Sequence, residues 1–345
     1  MTADAQAALP EEVSGLVSVV VIGRNEGERL RRCLDSISRM EHPGFDVEVI
    51  YVDSNSTDGS LALAQSTGAR VIALQPERPS AALGRNAGWR AARGATILFL
   101  DGDTVLNPSF VAASLPDLAT KDVAVVWGHR RELFPQNSLY NRVLDLDWIY
   151  RPGLTLYCGG DALFRRSVLA TTGGFDEHLI AGEEPELCRR IAALGFTILH
   201  VDRPMTGHDL AITRWQQYWK RSTRAGHAFA EVSDQLSATG HTFWVGEAQR
   251  NRNRALTLIG LACLGVVALL LLKSALPLFA IFLFFLAISL RSAWKARWKT
   301  NDTIALLLYG VHSHLQQIPI YCGQLQYKRN RRRGKRAQLL EYKQP

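Results

Sequence analysis

Cysteine is scarce and badly spaced for structural use. Five occur in 345 residues, an odd number with no C-x-x-C pair, which argues against a disulfide framework and a thiolate zinc site and suits a reducing compartment. No G-x-G-x-x-G follows the first strand-like run, and no G-x-x-x-x-G-K-[ST] occurs anywhere. The dinucleotide and P-loop readings therefore both fail. Residues 1–15 are polar and acidic, without the basic and apolar pattern of a secretory leader. Disorder is excluded too: 47% of residues are hydrophobic, and the length suits one large domain or two smaller ones.

Acidic residues nearly vanish from the last quarter. Residues 250–345 hold 16 Lys/Arg against 2 Asp/Glu, so this part carries +14 within an overall +8 and the rest carries −6. A basic protein invites a nucleic-acid reading, but here the charge flanks the most apolar stretches of the chain, which points to a membrane instead. Those stretches are Leu256–Leu272 and Ala275–Leu290, interrupted only by Lys273 and Ser274. Each is near the lower length limit for a helix that spans a bilayer. Arg250, Arg252 and Arg254 precede the pair, and Arg291, Lys295, Arg297 and Lys299 follow it. Cationic flanks prefer the cytoplasmic side, so the pair is expected to be a hairpin with both ends cytoplasmic. Ile304–Tyr327 contains His312, His314, Gln316, Gln317 and Pro319, which makes it a poor span and a better interfacial helix. The run from Lys328 to Arg336 suits anionic lipid head groups.

The first hundred residues alternate. Leu16–Ile22 has the composition of a buried strand, and Leu30, Cys33, Leu34 and Ile37 form the core face of a helix. Val47–Val52 is a second strand, and Thr57–Ser60 opens a helix ending near Gly68. Val71–Leu74, a helix over Ala81–Arg93 and a strand over Thr96–Leu100 follow. Apolar strands alternating with helices imply an α/β fold with a mostly parallel sheet covered on both faces. Ligands bind such sheets beyond the carboxyl ends of the strands. That puts Gly23, Arg24 and Glu26, then Asp53 and Asn55, then Asp101, Gly102 and Asp103 where a ligand would lie. Two carboxylates separated by a glycine can share a hard divalent cation that bridges phosphate oxygens. A second D-x-D, Asp145-Leu146-Asp147, sits among Val143, Leu144, Trp148 and Ile149 in a helical setting and is read as structural. Position separates the two.

Taken together, these motifs resemble family-2 glycosyltransferases, inverting enzymes of the GT-A nucleotide-diphospho-sugar transferase fold. The resemblance rests on Val17–Glu26, Val52–Ser60, Gly84-Arg85-Asn86-Ala87-Gly88, Asp101-Gly102-Asp103 and Gly182-Glu183-Glu184, and covers about residues 16–230. It implies that Glu26 and Asp53 contact the donor's base and ribose, Asp101 the ribose or the metal, and that Asp103 is the principal ligand of Mg2+ or Mn2+. It places Asp161 near the donor sugar and His208 as a further metal ligand. The general base falls on Glu184, where relatives usually carry Asp, with Glu183 and Glu186 as substitutes. Pro185 suits a first helical position, so Glu184 is expected at the N-cap, with Gly195 closing that helix.

Arg214, Arg221 and Arg224 lie on an expected helix from Ile212 to Phe229 and are candidates for the leaving diphosphate, with the choice among them open and Arg221 counted among the donor-binding residues. The Q-x-x-R-W of processive synthases is not matched, since Ala211 stands at its first position. Arg85 and Asn86 either reach the nucleotide or brace the strand behind it.

The expected organisation is a tail over 1–15, a catalytic domain over 16–230 and a basic linker over 231–254. A membrane hairpin over 255–291 and an amphipathic segment over 292–345 complete it. The expected activity is metal-dependent transfer of one sugar, from a nucleotide-sugar donor with uridine favoured, to a lipid-linked acceptor at the inner membrane in exopolysaccharide or glycolipid assembly. The catalytic domain would be cytoplasmic and bind no nucleic acid. A polyprenyl-phosphate glycosyltransferase and a non-catalytic nucleotide-sugar-binding subunit are the alternatives.

Overall fold

The structure is a computed structural model and describes residues 9–238 and 240–335. The start of the N-terminal tail and the end of the polybasic run, Arg336 onward, lie outside the described residues. The chain divides into two compact units. One combines the residues up to Leu133 with Tyr150–Asp209, and the other combines Phe134–Ile149 with the residues from Leu210 on.

The first unit is built on one mixed sheet. β1 (Val13–Gly23), α1 (Glu28–Ser38), β2 (Asp46–Ser54), α2 (Ser60–Ser66), β3 (Arg70–Leu74), α3 (Ala81–Ala91) and β4 (Gly94–Asp101) reproduce the expected alternation. β5 (Thr104–Leu106), α4 (Phe110–Ala119) and β6 (Val123–Glu132) follow. After the excursion into the other unit come β7 (Gly153–Thr155), β8 (Ala162–Arg165), α6 (Arg166–Thr172), α7 (Glu183–Ala193) and β9 (Thr197–His208), with α5 (Leu139–Asp147) belonging to the excursion.

Strand order is β3-β2-β1-β4-β8-β6-β9-β5, with β7 alongside β9. β1 to β4 pair in parallel, whereas β8 runs antiparallel to both β4 and β6. Val19, Val20 and Val21 of β1 are fully buried, as are Ile97 to Leu100 of β4. That burial on both faces explains why these strands read as continuous apolar runs rather than alternating ones. The face of α1 that is buried is Leu30, Cys33, Leu34 and Ile37.

The second unit is helical. It holds α5, then α8 (Trp215–Ala238), α9 (Val245–Leu272), α10 (Leu276–Ala296), α11 (Thr303–Leu315) and α12 (Gln317–Arg332). Asp145 and Asp147 lie on α5, as their helical setting implies. Asp145 is buried, and Asp147 Oδ2 sits 3.2 Å from His312 Nε2, whose other ring nitrogen is 2.8 Å from the Tyr218 hydroxyl. Stretch 231–254 holds the end of α8 and the start of α9. α9 and α10 are long and apolar enough to cross a membrane, and only 11% of the apolar window of each is buried by the rest of the chain.

One expectation needs correction. Ile304–Tyr327 is not one helix but parts of two, α11 and α12, jointed at Gln316. Pro319 falls in the first turn of α12, where its missing N–H has no partner to lose.

Candidate active site

The carboxyl ends of β1, β2 and β4 meet at one edge of the sheet. After β1, Asn25 takes a left-handed conformation (φ 56°) and its side-chain oxygen accepts from the Thr57 amide at 2.7 Å, joining the first loop to the second. Asn55 is left-handed as well (φ 63°), as the tight turn after β2 requires. Asp53 is buried, accepting from the Tyr51 hydroxyl at 3.0 Å and the Ser56 amide at 2.8 Å. Glu26 pairs with Arg29 at 2.9 Å. Its side chain lies against Gly102, where an added Cβ would come within 3.2 Å of Glu26 Cγ.

Past β4 the chain turns through Asp101, Gly102 and Asp103 into β5. The antiparallel pairing of β5 with β9 sets Thr104 opposite His208, and this brings His208 Nε2 to 3.2 Å from Asp103 Oδ2. One ligand atom from each of Asp101, Asp103 and His208 lies within 4.8 Å of the other two, and this is the one such group of three among the described residues. Two carboxylates and an imidazole fit a divalent cation of the Mg2+ or Mn2+ class that leaves further positions for phosphate oxygens and water.

Behind this cradle lies a buried knot of charge. Arg85, from α3, is 2% exposed. Its Nη2 donates to Asp101 Oδ1 at 2.9 Å, while Nη1 reaches Glu183 at 2.8 Å and Glu184 at 3.0 Å. Arg130, from β6, approaches Asp101 at 3.4 Å and Asp161 at 3.6 Å. Asp161 is fully buried, accepting from the Asp101 amide at 3.0 Å and the Thr206 hydroxyl at 2.8 Å. Four carboxylates thus share two guanidiniums, a local excess of negative charge that a bound cation would relieve.

The excess shows in protonation. Burial, with Arg130 opposing it and Asp101 adding to it, raises the Asp161 carboxyl above its ordinary range. Burial and then the neighbouring Glu183 push Glu184 up to about 7, against the pull of Arg85. A carboxylate that titrates near neutrality is matched to general-base work.

The sequence profile of glycosyl transferase family 2 matches residues 18–173, a span that includes the three loops, Arg85, the D-G-D turn and Asp161. These residues belong to glycosyl transferase family 2. Among curated relatives, the glycosyltransferase AglE of Haloferax volcanii is 24% identical over 191 residues, 53% of this chain and 63% of that one. The probable glycosyltransferase YdaM of Bacillus subtilis is 24% identical over 229 residues, 60% of this chain and 54% of its own. The matched region therefore spans between about half and two thirds of those relatives' length. In fold, the chain is similar to the mannosyltransferase PcManGT from Pyrobaculum calidifontis, solved in complex with GDP-Man and Mn2+. The TM-score is 0.63 at 18% identity, over 93% of this chain and 90% of that one.

The named residues fall into three groups, of which Glu184, His208 and Arg221 lie beyond the matched residues. Asp101, Asp103, His208, Asp161, Arg85 and Glu184 are brought together. Gly23, Arg24, Glu26, Asp53, Asn55 and Gly102 line the loops at the same strand ends. Arg221 belongs to the helical unit, where its guanidinium lies 6.0 Å from the Trp148 ring centre; α8 itself begins at Trp215, after Arg214.

Contacts bear on two points that the sequence left open. Arg85 sits behind the acids as their counter-ion. Asn86 braces a different segment, accepting from the Phe175 amide and donating to its carbonyl. Glu186 is engaged by Arg190 through two contacts of 2.7 Å, whereas Glu183 and Glu184 both face Arg85. Glu184 is the more accessible, at 16% against 5% for the side chain.

The N-cap expectation for Glu184 was two residues late. α7 starts at Glu183, capped by Gly182 at φ 87°, a left-handed start that favours glycine. Pro185 stands third rather than first, which is tolerated because none of the first-turn amides has an intrahelical acceptor. Gly195 follows the helix at φ 87° as expected. Arg130 and Thr206 were missed. The only signal was the polar turn of β6 at His129-Arg130-Arg131-Glu132, after five buried apolar residues.

Gly160 has no room for a side chain. An added Cβ would meet Arg85 Nη2 at 2.5 Å and Asp101 Oδ2 at 2.9 Å, atoms that are held by their partners. Gly160→Ala is therefore expected to destabilise the protein by roughly 1–3 kcal/mol through overpacking, measured as a lower thermal midpoint. A midpoint unchanged from the parent would mean that the knot has slack.

Proposed function

We propose that this chain is a metal-assisted, inverting glycosyltransferase that moves one sugar from a nucleotide-sugar donor to a lipid-linked acceptor at a membrane. The observation that carries the proposal is the joining of two functions through one buried guanidinium. The Asp101–Asp103–His208 cradle for the leaving diphosphate and the carboxyl of Glu184 are both fastened to Arg85. A divalent cation bound by Asp101, Asp103 and His208 would neutralise charge on the departing diphosphate.

The remaining work falls to side chains. Glu26, Asp53 and the loop around Asn55 orient the nucleoside, and Asp161 fixes the backbone of Asp101 through its amide. Glu184 takes the proton from the acceptor hydroxyl as the new glycosidic bond forms. Inversion follows when the base and the leaving group stand on opposite faces of the anomeric carbon.

The acceptor class rests on the two apolar helices. Their weakly buried windows and basic flanks, Arg250 to Arg254 and Arg291 to Lys299, suit a hairpin anchored with both ends on the cytoplasmic side of the inner membrane. A lipid-borne acceptor would then be concentrated in the same plane. Exopolysaccharide or glycolipid assembly is the setting in which such an acceptor is used.

The test is a donor screen on detergent-purified protein, following nucleoside diphosphate release with Mn2+, with Mg2+ and with EDTA. Uridine and guanosine diphosphate sugars come first, since the Pyrobaculum neighbour is described with GDP-Man and Mn2+. Release from one donor that EDTA abolishes is expected. Asp103→Asn should reduce it at least roughly a hundredfold and remove any thermal stabilisation by Mn2+. Donor binding with no release across lipid extracts would instead favour a binding subunit.

A further inference from the structure

We propose that Cys158 and Cys188 form a dithiol that closes reversibly to a disulfide and thereby distorts the site. The two sulfurs come from separate elements. Cys158 ends the loop that runs into Gly159, Gly160 and Asp161, and Cys188 lies on α7 one turn beyond Glu184. Their Sγ atoms are 3.7 Å apart, and both residues are buried, at 3% and 0% exposed. The third buried thiol, Cys33, is placed differently, against the carbonyl oxygen of Asp101. Cys263 and Cys322 are exposed and belong to the helical unit.

Closure has a mechanical consequence. A disulfide holds its sulfurs about 2.05 Å apart, so the two Sγ atoms must close by about 1.6 Å, by side-chain rotation together with movement of the loop and the base helix. The loop has little room on the side of Arg85 and Asp101, where even an added Cβ at Gly160 would come within 2.5 Å and 2.9 Å of them. On the other side, Glu184 is one turn from the bonded sulfur. A displacement of about 1 Å at reacting groups lowers rates by about a hundredfold, so the crosslink moves base and cradle out of register together. A bond strained in this way is also readily reduced, which is what a reversible device needs.

The oxidant is a peroxide. One thiol, as thiolate, attacks a peroxide oxygen and the O–O bond breaks. A sulfenic acid forms, and the released hydroxide leaves as water with the thiol proton. The second sulfur displaces the sulfenic oxygen, the S–S bond forms and a second water departs. Two thiols and one hydrogen peroxide give one disulfide and two waters, with two electrons passing from sulfur to oxygen. The hydrogen bond with Cys188 and burial hold the Cys158 thiol well above its usual range, so this reaction is slower than oxidation of an exposed cysteine.

The geometry of the pair stands by itself, whereas the loss of turnover rests on the function proposed above. The experiment separates the two. Full-length protein in detergent is treated with hydrogen peroxide, mapped by non-reducing peptide mass spectrometry, assayed for nucleoside diphosphate release, and assayed again after dithiothreitol.

The expected result is a peptide pair joining Cys158 to Cys188, lighter by two hydrogens, with release reduced by roughly tenfold or more and restored by reductant. Amide exchange over Glu183–Cys188 should change in the crosslinked form, a readout that needs no donor. Cys188→Ala and Cys158→Ala should each keep their activity in peroxide. Absence of the joined peptide after Cys263 and Cys322 have been oxidised overturns the dithiol. A crosslinked protein with parental exchange and release overturns the distortion. Reduced protein that releases nothing counts against the proposed function and leaves the peptide map and the exchange to decide the dithiol.

Discussion

Glu184→Gln is expected to lower kcat by roughly a thousandfold, the usual size of a lost general base, while making the folded protein more stable at pH 8. The two effects have one cause. In the unfolded chain this carboxyl ionises near its ordinary value of 4.5, and in the folded chain it ionises at about 7. Between those values the folded state keeps a proton that the unfolded state has lost. Stability from this group is therefore complete below about 4.5, declines as pH rises through 7, and stays low above it.

Glutamine never ionises, so the variant escapes the decline and gains about 3 kcal/mol at pH 8, with little gain at pH 4.5. For the parent enzyme the same titration makes kcat/KM rise with pH and level off above about 7. A pH-stability series on both proteins, run beside the turnover assay, checks all three statements. Near-parental turnover in Glu184→Gln would remove the base from the mechanism and favour transfer to a lipid phosphate, which needs no proton removed.

Arg85→Met should have the largest effect on stability, about 3–5 kcal/mol, the range for removing one partner of a buried ionic cluster. Arg85 holds Asp101, Glu183 and Glu184 at 2.8–3.0 Å, and those acids raise its own ionisation further above the ordinary arginine range. Without it, three carboxylates face one another in a site with little access to water. Charge and packing are separated by pH. If repulsion dominates, the deficit shrinks as the acids protonate between pH 8 and pH 5, whereas a packing defect does not change. Charge coupling also predicts that adding Glu184→Gln to Arg85→Met restores part of the loss, measured as a double-mutant cycle in thermal or denaturant unfolding. Strict additivity would place Glu184 outside the cluster's electrostatic reach.

Much of the first unit was legible in the sequence because its order there is local. The central strands β1 and β4 are buried on both faces and read as apolar runs, and α1 shows its core face directly as Leu30, Cys33, Leu34 and Ile37. The D-G-D turn could be told from Asp145-Leu146-Asp147 by its position after a strand. Harder were the features set by distant pairing. Arg130 reaches Asp101 and Asp161 only because β8, from 30 residues further along, inserts between β4 and β6. No spacing in the sequence announces that. His208 was named from resemblance, but what places it by Asp103 is the β5–β9 register. The start of α7 was misplaced because proline is permitted throughout a first turn, so Pro185 marks the turn without marking its first residue.

The two units are interleaved rather than strung in tandem. Residues 134–149 are made before the sheet is complete, yet Val143 and Leu144 on α5 find their apolar partners in Leu210, Ile212 and Tyr218, and Leu308 packs against the same cluster. A ribosome adds about 5–20 residues per second, so α5 waits roughly ten to thirty seconds between its own synthesis and the arrival of α11. During that interval the rest of the sheet and both arms of the apolar pair emerge. Biogenesis of this protein is thus a matter of sequence in time: an exposed helix must be kept from aggregating while the segment that will enclose it is still being translated, and no single cut in the chain releases one unit whole.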